Sequence, residues 1–76
     1  PALRGRVLEL GFGPGHLQRA LADRPGVAGI DASPQMARMA SRRLRGTGLA
    51  PRLAVARAQG LPLRDGSVDT VVATFP

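Results

Sequence analysis

The chain has 76 residues, enough for one small hydrophobic core and too few for two domains. It contains no cysteine and a single histidine, which excludes a disulfide framework and argues against a zinc site. The net charge of +6 comes entirely from 11 arginines, but these are scattered and accompanied by two phenylalanines only, so a nucleic-acid-binding surface is not expected.

The predicted elements begin with a short apolar strand over residues 6–10, which is closed by a glycine. A helix is predicted over residues 14–22, and an Arg-Pro-Gly sequence stops it. Its expected apolar face consists of Leu17, Ala20 and Leu21. A second short strand follows over residues 27–30 and ends at Asp31.

A second helix begins where Ser33 offers an N-cap and Pro34 occupies the first helical position. Its predicted core stripe consists of Met36, Ala37, Ala40 and Leu44. Two further strands are predicted over residues 52–57 and 68–75, with a loop and an Asp-Gly turn between them. The order β-α-β-α-β-loop-β predicts an α/β fold, a Rossmann-like parallel sheet with flanking helices.

The loop after the first strand is the most informative feature of the sequence. Glu9 is followed by glycines at 11, 13 and 15, and glycine serves where the backbone needs a positive φ or lies against a ligand. The dinucleotide pattern G-x-G-x-x-G is not met, because its sixth position is His16. A carboxylate beside the loop would also repel a pyrophosphate, so a ligand with an ammonium group is favoured.

Polar residues also follow the other predicted strands. Asp31 could accept hydrogen bonds from both hydroxyls of a ribose, a feature that NAD sites share. Residues 57–60 and 74–76 follow the last two strands. Because parallel strands bind ligands beyond their carboxyl ends, we expect these residues to line one crevice with the glycine loop.

Three motifs at these spacings resemble those of class I S-adenosylmethionine-dependent methyltransferases, of the type 11 group that includes ubiquinone-biosynthesis-like enzymes. They are Glu-Leu-Gly-Phe-Gly-Pro-Gly at 9–15, Gly-Ile-Asp-Ala-Ser-Pro-Gln-Met at 29–36, and Leu-Pro-Leu with acidic residues at 61–69. The resemblance implies S-adenosyl-L-methionine as cofactor and methyl transfer to a small-molecule acceptor by direct displacement. It further implies that residues 1–76 are the cofactor-binding half, the first four of seven strands, truncated at the C-terminus and inactive alone.

The resemblance also implies which residues meet the cofactor. The expected set is Glu9, Gly11 and Gly13 bordering the methionine part, Phe12 and Gly15 in the same loop, Asp31 on the ribose, and Ala32, Met36, Ala58 and Gln59 near the adenine. Arg57 stands where the family usually has an aspartate that accepts from the adenine amino group, and arginine cannot accept a hydrogen bond. No catalytic residue or metal ligand is assigned. His16 is interpreted as a surface residue and Asp69 as a structural one.

Two alternatives stay open at the level of sequence. One is an NAD(P)-binding oxidoreductase, which the glycine spacing and Glu9 oppose. The other is a non-catalytic relative that uses its arginine surface for protein or nucleic-acid contact. With no secretory leader pattern and no apolar run near the roughly 20 residues of a membrane helix, we expect a cytoplasmic protein.

Overall fold

The computed structural model describes residues 5–45, 47, 52–57, 59 and 66–74. The strands are β1 (Val7–Leu10), β2 (Val27–Asp31), β3 (Leu53–Val55) and β4 (Thr70–Ala73), and the helices are α1 (His16–Ala20) and α2 (Pro34–Leu44). The order of elements is the predicted one. The predicted Leu-Pro-Leu loop and the last two residues of the chain lie outside the described residues.

The four strands form one parallel sheet in the order β3-β2-β1-β4. Leu10 at the end of β1 pairs with Ile30 of β2 on one side and with Ala73 of β4 on the other. The carboxyl ends of all four strands therefore lie at the same end of the sheet, as predicted. The strand order runs outwards from β1 to β3 on one side and to β4 on the other, so the order reverses between β1 and β4. Parallel sheets bind ligands at such a topological switch point.

The register of the sheet places the two acidic residues of the predicted site on one face. Glu9 pairs with Gly29, and Asp31 lies two residues further along β2. Because side chains alternate along a strand, Glu9 and Asp31 both belong to the face on which Gly29 would carry its side chain. Among the described residues, the buried apolar side chains are those of Val7, Leu8, Phe12, Ile30, Ala40 and Leu44.

The two helices differ in how closely they follow the prediction. In α2 the Ser33 Oγ accepts a hydrogen bond from the Met36 amide at 3.2 Å, which confirms the predicted N-cap. Ala40 and Leu44 are buried on the predicted stripe, and Met36 is half-buried. None of the helices in the described part of the chain has the length and apolar character that a membrane crossing requires.

The predicted bounds of α1 were wrong, and so was the place of Ala20 on its apolar face, whereas Leu17 and Leu21 are half-buried. The helix begins at His16 because Gly15, its N-cap, has a φ of 93°, which is not helical. Ala20 is exposed, whereas Gln18 is 5% exposed. Gln18 turns towards the sheet because its amide finds a carboxylate there, so a polar side chain occupies the inner face.

The outer strands are shorter than predicted. β3 covers three residues and β4 covers four, and both lie at the margins of the described sheet. Val55 and Val71 are about half exposed. Side chains at the margin of a sheet have neighbours on one side only, so alternation of apolar residues overstates how far such a strand extends.

Asp69 joins β1 and β4 at their amino ends and is structural, as predicted. Its Oδ2 accepts from the Arg6 amide at 2.8 Å and pairs with the Arg6 Nε at 3.4 Å. Its own amide donates to the Arg6 carbonyl at 2.8 Å. The backbone hydrogen bond from Arg6, helped by the guanidinium, lowers the pKa of Asp69 below its usual value.

Candidate functional site

The glycine loop leaves β1 at the carboxyl end of the sheet. The amides of Gly11 and Phe12 both donate to the Ile30 carbonyl, at 2.8 and 3.3 Å, which anchors the loop to β2. Gly11, Gly13 and Gly15 have φ values of 71°, 57° and 93°. Each position would strain an L side chain, so of the two uses of glycine considered above, a positive φ is the one that these positions show. The result is a stretch of backbone without side chains at alternate positions.

Asp31 ties this loop to the start of α2. Its Oδ2 accepts from the Gly13 amide at 2.9 Å, and its Oδ1 accepts from the Ser33 amide at 2.9 Å. A carboxylate has about four lone-pair positions, so two acceptor positions are left over. Asp31 is half-buried, which leaves part of it open to a ligand. The sequence predicts that the glycine loop and Asp31 lie at the same end of the sheet, and in the structure a hydrogen bond from the Gly13 amide joins them directly.

Helix α2 supports the loop from behind. A Cβ built on Gly15 would lie 2.8 Å from the Ala40 Cβ and 2.9 Å from the Ala40 Cα, so the loop and helix touch through their backbones. The Arg43 Nε donates to the Pro14 carbonyl at 3.0 Å. The Arg19 Nη1 of α1 donates to the Arg43 carbonyl at 3.2 Å. Gly15 therefore packs the loop against α2, in addition to any part it has in binding.

Glu9 lies inside the protein, with no exposed surface. Its Oε1 accepts from the Gln18 Nε2 at 2.8 Å. Its Oε2 is buried and has no hydrogen-bond partner among the described residues. Phe12 is equally buried, so the loop presents backbone rather than this side chain at its surface.

Among the described residues, those expected near the adenine have fewer hydrogen bonds to the glycine loop than Asp31 has. Ala32 is exposed and Met36 is half-buried, both just beyond Asp31. Ala58 lies outside the described residues. Gln59 and Arg57 are exposed, and no hydrogen bond within the described part of the chain joins Gln59 to the loop. His16 is exposed at the start of α1, as predicted for a surface residue.

A cavity of about 350 Å³ opens elsewhere, towards the amino end of β2. Its lining includes Leu21, Asp23, Pro25, Gly26, Val27 and Arg52. Gln18 borders this cavity, whereas Glu9 and Asp31 do not. The single crevice expected at the carboxyl end of the sheet therefore stays a prediction.

Two polar residues of the site were missed at the level of sequence, namely Gln18 and Arg43. Gln18 precedes Leu21 and Ala22 at the i, i+3, i+4 spacing of an inward helix face, which is the signal that could have found it. Arg43 belongs to an exposed run of arginines, and nothing in its spacing distinguishes it from its neighbours.

An open parallel sheet with a glycine loop after β1 and a carboxylate at the end of β2 defines a Rossmann-like ligand-binding domain. Within that class, the chain belongs to the methyltransferase domain family, which it matches over residues 7–76. It is 43% identical over 72 residues, 91% of the chain, to the malonyl-[acyl-carrier protein] O-methyltransferase of Geobacter sulfurreducens. The chain spans 27% of the length of that relative. The resemblance to methyltransferases is thus confirmed, and neither finding supports the oxidoreductase alternative.

Proposed function

We propose that the chain binds S-adenosyl-L-methionine at the carboxyl end of its sheet and is the cofactor-binding part of a methyltransferase. The observation that carries the proposal is the bridge of Asp31 to the Gly13 amide and to the start of α2. This bridge fixes a carboxylate with spare acceptor positions beside a loop whose glycines leave its backbone bare. Ribose hydroxyls donate hydrogen bonds to such an acceptor, and a loop without side chains lets the methionine part of the cofactor lie against the backbone.

The residues present fit this cofactor. Asp31 would hold the ribose, and the backbone of Gly11 and Gly13 would border the methionine part. Glu9 places a buried carboxylate just before the loop, and its charge suits an ammonium group and opposes a pyrophosphate although no part of the side chain is exposed for direct contact. The remaining proposed contacts are Phe12 and Gly15 in the loop, and Ala32, Met36, Ala58 and Gln59 towards the adenine.

The proposed reaction is direct displacement, with a small molecule as the methyl acceptor. The cofactor, when bound, supplies an electrophilic methyl group on a sulfonium. The residues of this chain bind and orient it, and orientation alone can supply much of the rate of a two-reactant step. The carrier-bound malonyl group named for the Geobacter relative is the first acceptor to assay. A cytoplasmic location stays a prediction from composition.

The proposal is tested by titration calorimetry of the purified protein with S-adenosylhomocysteine and, separately, with NADH. We expect heat of binding for the first ligand and none for the second. Binding of NADH alone would overturn the proposal in favour of the dinucleotide alternative. Binding of neither would also count against it.

The role of Asp31 is tested by Asp31→Asn, with Asp69→Asn as the matched control at the opposite end of the sheet. Hydrogen bonds to a charged group contribute about 1.5–3 kcal/mol, so Asp31→Asn should weaken binding of S-adenosylhomocysteine by roughly tenfold to a hundredfold. Asp69→Asn removes the same charge and should leave the affinity unchanged. Equal losses in both variants would show that stability or net charge, and not contact, is responsible.

A further inference from the structure

Gln18 is a buried polar residue to which the proposed cofactor contacts give no role. It lies in α1 with 5% of its surface exposed, and its Nε2 donates to the Glu9 Oε1 at 2.8 Å. The same nitrogen is 3.5 Å from the Ala28 carbonyl, at the limit of a hydrogen bond. Glu9 is therefore the main partner of this amide.

The Gln18 amide occupies space that is open because Gly29 has no side chain. A Cβ built on Gly29 would lie 2.9 Å from the Gln18 Nε2 and 3.0 Å from the Phe12 ring. Glycine at this β2 position thus makes room for the amide and the ring together. Because Gly29 pairs with Glu9 across the strands, the space it leaves is next to that carboxylate.

Among the described residues, the Glu9 carboxylate has one hydrogen-bond partner, Gln18. Gln18 is a neutral donor, and the Glu9 Oε2 is buried without a hydrogen bond among the described residues. No ion pair within the described part of the chain includes Glu9. A buried carboxylate with a single neutral donor is costly, and a cation close by would lower that cost. The loop that follows Glu9 is where the proposed ligand would bring its ammonium group.

We infer that Gln18 is a positioning residue, which holds the buried Glu9 carboxylate just before the loop so that its uncompensated negative charge attracts the ammonium group of the ligand without direct contact. The inference rests on the proposed function and adds a determinant of specificity to it. Gln18 selects for the amino-acid part of the cofactor without touching it. The nucleoside part depends on Asp31 instead.

The test compares two ligands that share a nucleoside. S-adenosylhomocysteine carries the amino-acid ammonium and carboxylate, and 5′-methylthioadenosine lacks both. Gln18→Met keeps the length of the side chain and removes the donor. It should lower the affinity for S-adenosylhomocysteine by about tenfold and the affinity for 5′-methylthioadenosine by less than twofold. Gln35→Met, at an exposed position of α2, is the matched control and should change neither affinity.

A second variant keeps the test decisive if Gln18→Met folds poorly. Gln18→Lys gives Glu9 a permanent cationic partner, which competes with the ammonium group of the ligand. It should lower the affinity for S-adenosylhomocysteine more than that for 5′-methylthioadenosine, while the temperature of unfolding stays equal or rises. The two variants thus share one effect on ligand preference although they change stability in different ways.

Equal loss of both ligands in these variants would show a merely structural role for Gln18 and overturn the inference. Unchanged affinity for S-adenosylhomocysteine would overturn it as well. Failure of the unaltered protein to bind either ligand is a different result, because it contradicts the proposed function itself. Selective loss of S-adenosylhomocysteine alone supports the inference.

Discussion

Gly15 shows how one residue can serve the conformation of a loop and the packing of a helix. Gly15→Ala would strain a φ of 93° and press a methyl group against the Ala40 backbone. The left-handed conformation costs about 1–2 kcal/mol and overpacking about 1–3 kcal/mol. We therefore expect the free energy of unfolding, measured in urea, to fall by roughly 2–5 kcal/mol.

Gly66 supplies the matched control for this substitution. Its φ is 75°, and nothing lies within 4 Å of a Cβ built there. Gly66→Ala should therefore cost only the conformational strain, about 1–2 kcal/mol. If the two variants lost equal stability, the close approach of Gly15 to Ala40 would have no energetic weight.

Asp69 should make stability depend on pH in the acid range. The Arg6 backbone hydrogen bond lowers its pKa in the folded protein, so its contribution is present above the unfolded pKa of 3.8. That contribution is lost as the pH falls through the depressed folded pKa. Asp69→Asn should make thermal unfolding less dependent on pH below about 4. An acid profile that Asp69→Asn leaves unchanged would contradict the part assigned to the Arg6 hydrogen bond.

At the scale of the element, α2 depends on its N-cap. Ser33→Ala removes the acceptor for the Met36 amide, and loss of such a cap costs about 0.5–2 kcal/mol. Ser41→Ala is the control, because Ser41 is exposed in the body of the same helix and alanine is the better helix former. Urea unfolding should show a loss for the first variant and no loss for the second. The opposite order would contradict the assigned start of α2.

The elements also show what the sequence could and could not predict. The start of α2 was predictable because Ser33 and Pro34 act within one turn of the chain. The helical spacing of Gln18 and Leu21 could have marked the inward face of α1, but the partner of Gln18 could not be predicted from it, because Glu9 lies in another element. Local patterns report local geometry, whereas a buried polar pair depends on how elements pack.

The candidate site divides in the same way. The glycine loop and Asp31 were predictable as neighbours, since both follow strands of one parallel sheet. Their direct bond was not, because it depends on the left-handed turn at Gly13 that brings its amide to the carboxylate. Likewise, the sequence marked Glu9 as acidic but could not show that it is wholly buried.

At the scale of the whole molecule, the sheet has β4 at one margin, paired with β1 alone among the described strands. Val71 of β4 is 53% exposed. The resemblance predicts further strands beside β4 in the complete domain, and that arrangement stays a prediction. Among the described residues, those proposed to hold the cofactor lie after β1 and β2, and α2 packs against the glycine loop.

The net charge of +6 is the other property of the whole molecule, and three of the 11 arginines lie on α2, whose sequence contains no acidic residue. Arg38, Arg42 and Arg45 line an exposed groove there, at spacings of four and three residues. Like charges at these spacings destabilise a helix by about 0.2–0.5 kcal/mol per pair. We therefore expect part of the cost of the net charge to be local to this helix.

Arg38→Glu tests whether that cost is local. It replaces repulsion of Arg42 by attraction, in the favourable order with glutamate nearer the N-terminus, and should raise the free energy of unfolding by about 0.5–1 kcal/mol at low salt. Arg57→Glu changes the net charge equally at an exposed site outside the helices. It should have a smaller effect, and 1 M salt should remove most of the difference, because the screening length is then about 3 Å. Equal gains in both variants would assign the cost to the charge of the whole molecule instead.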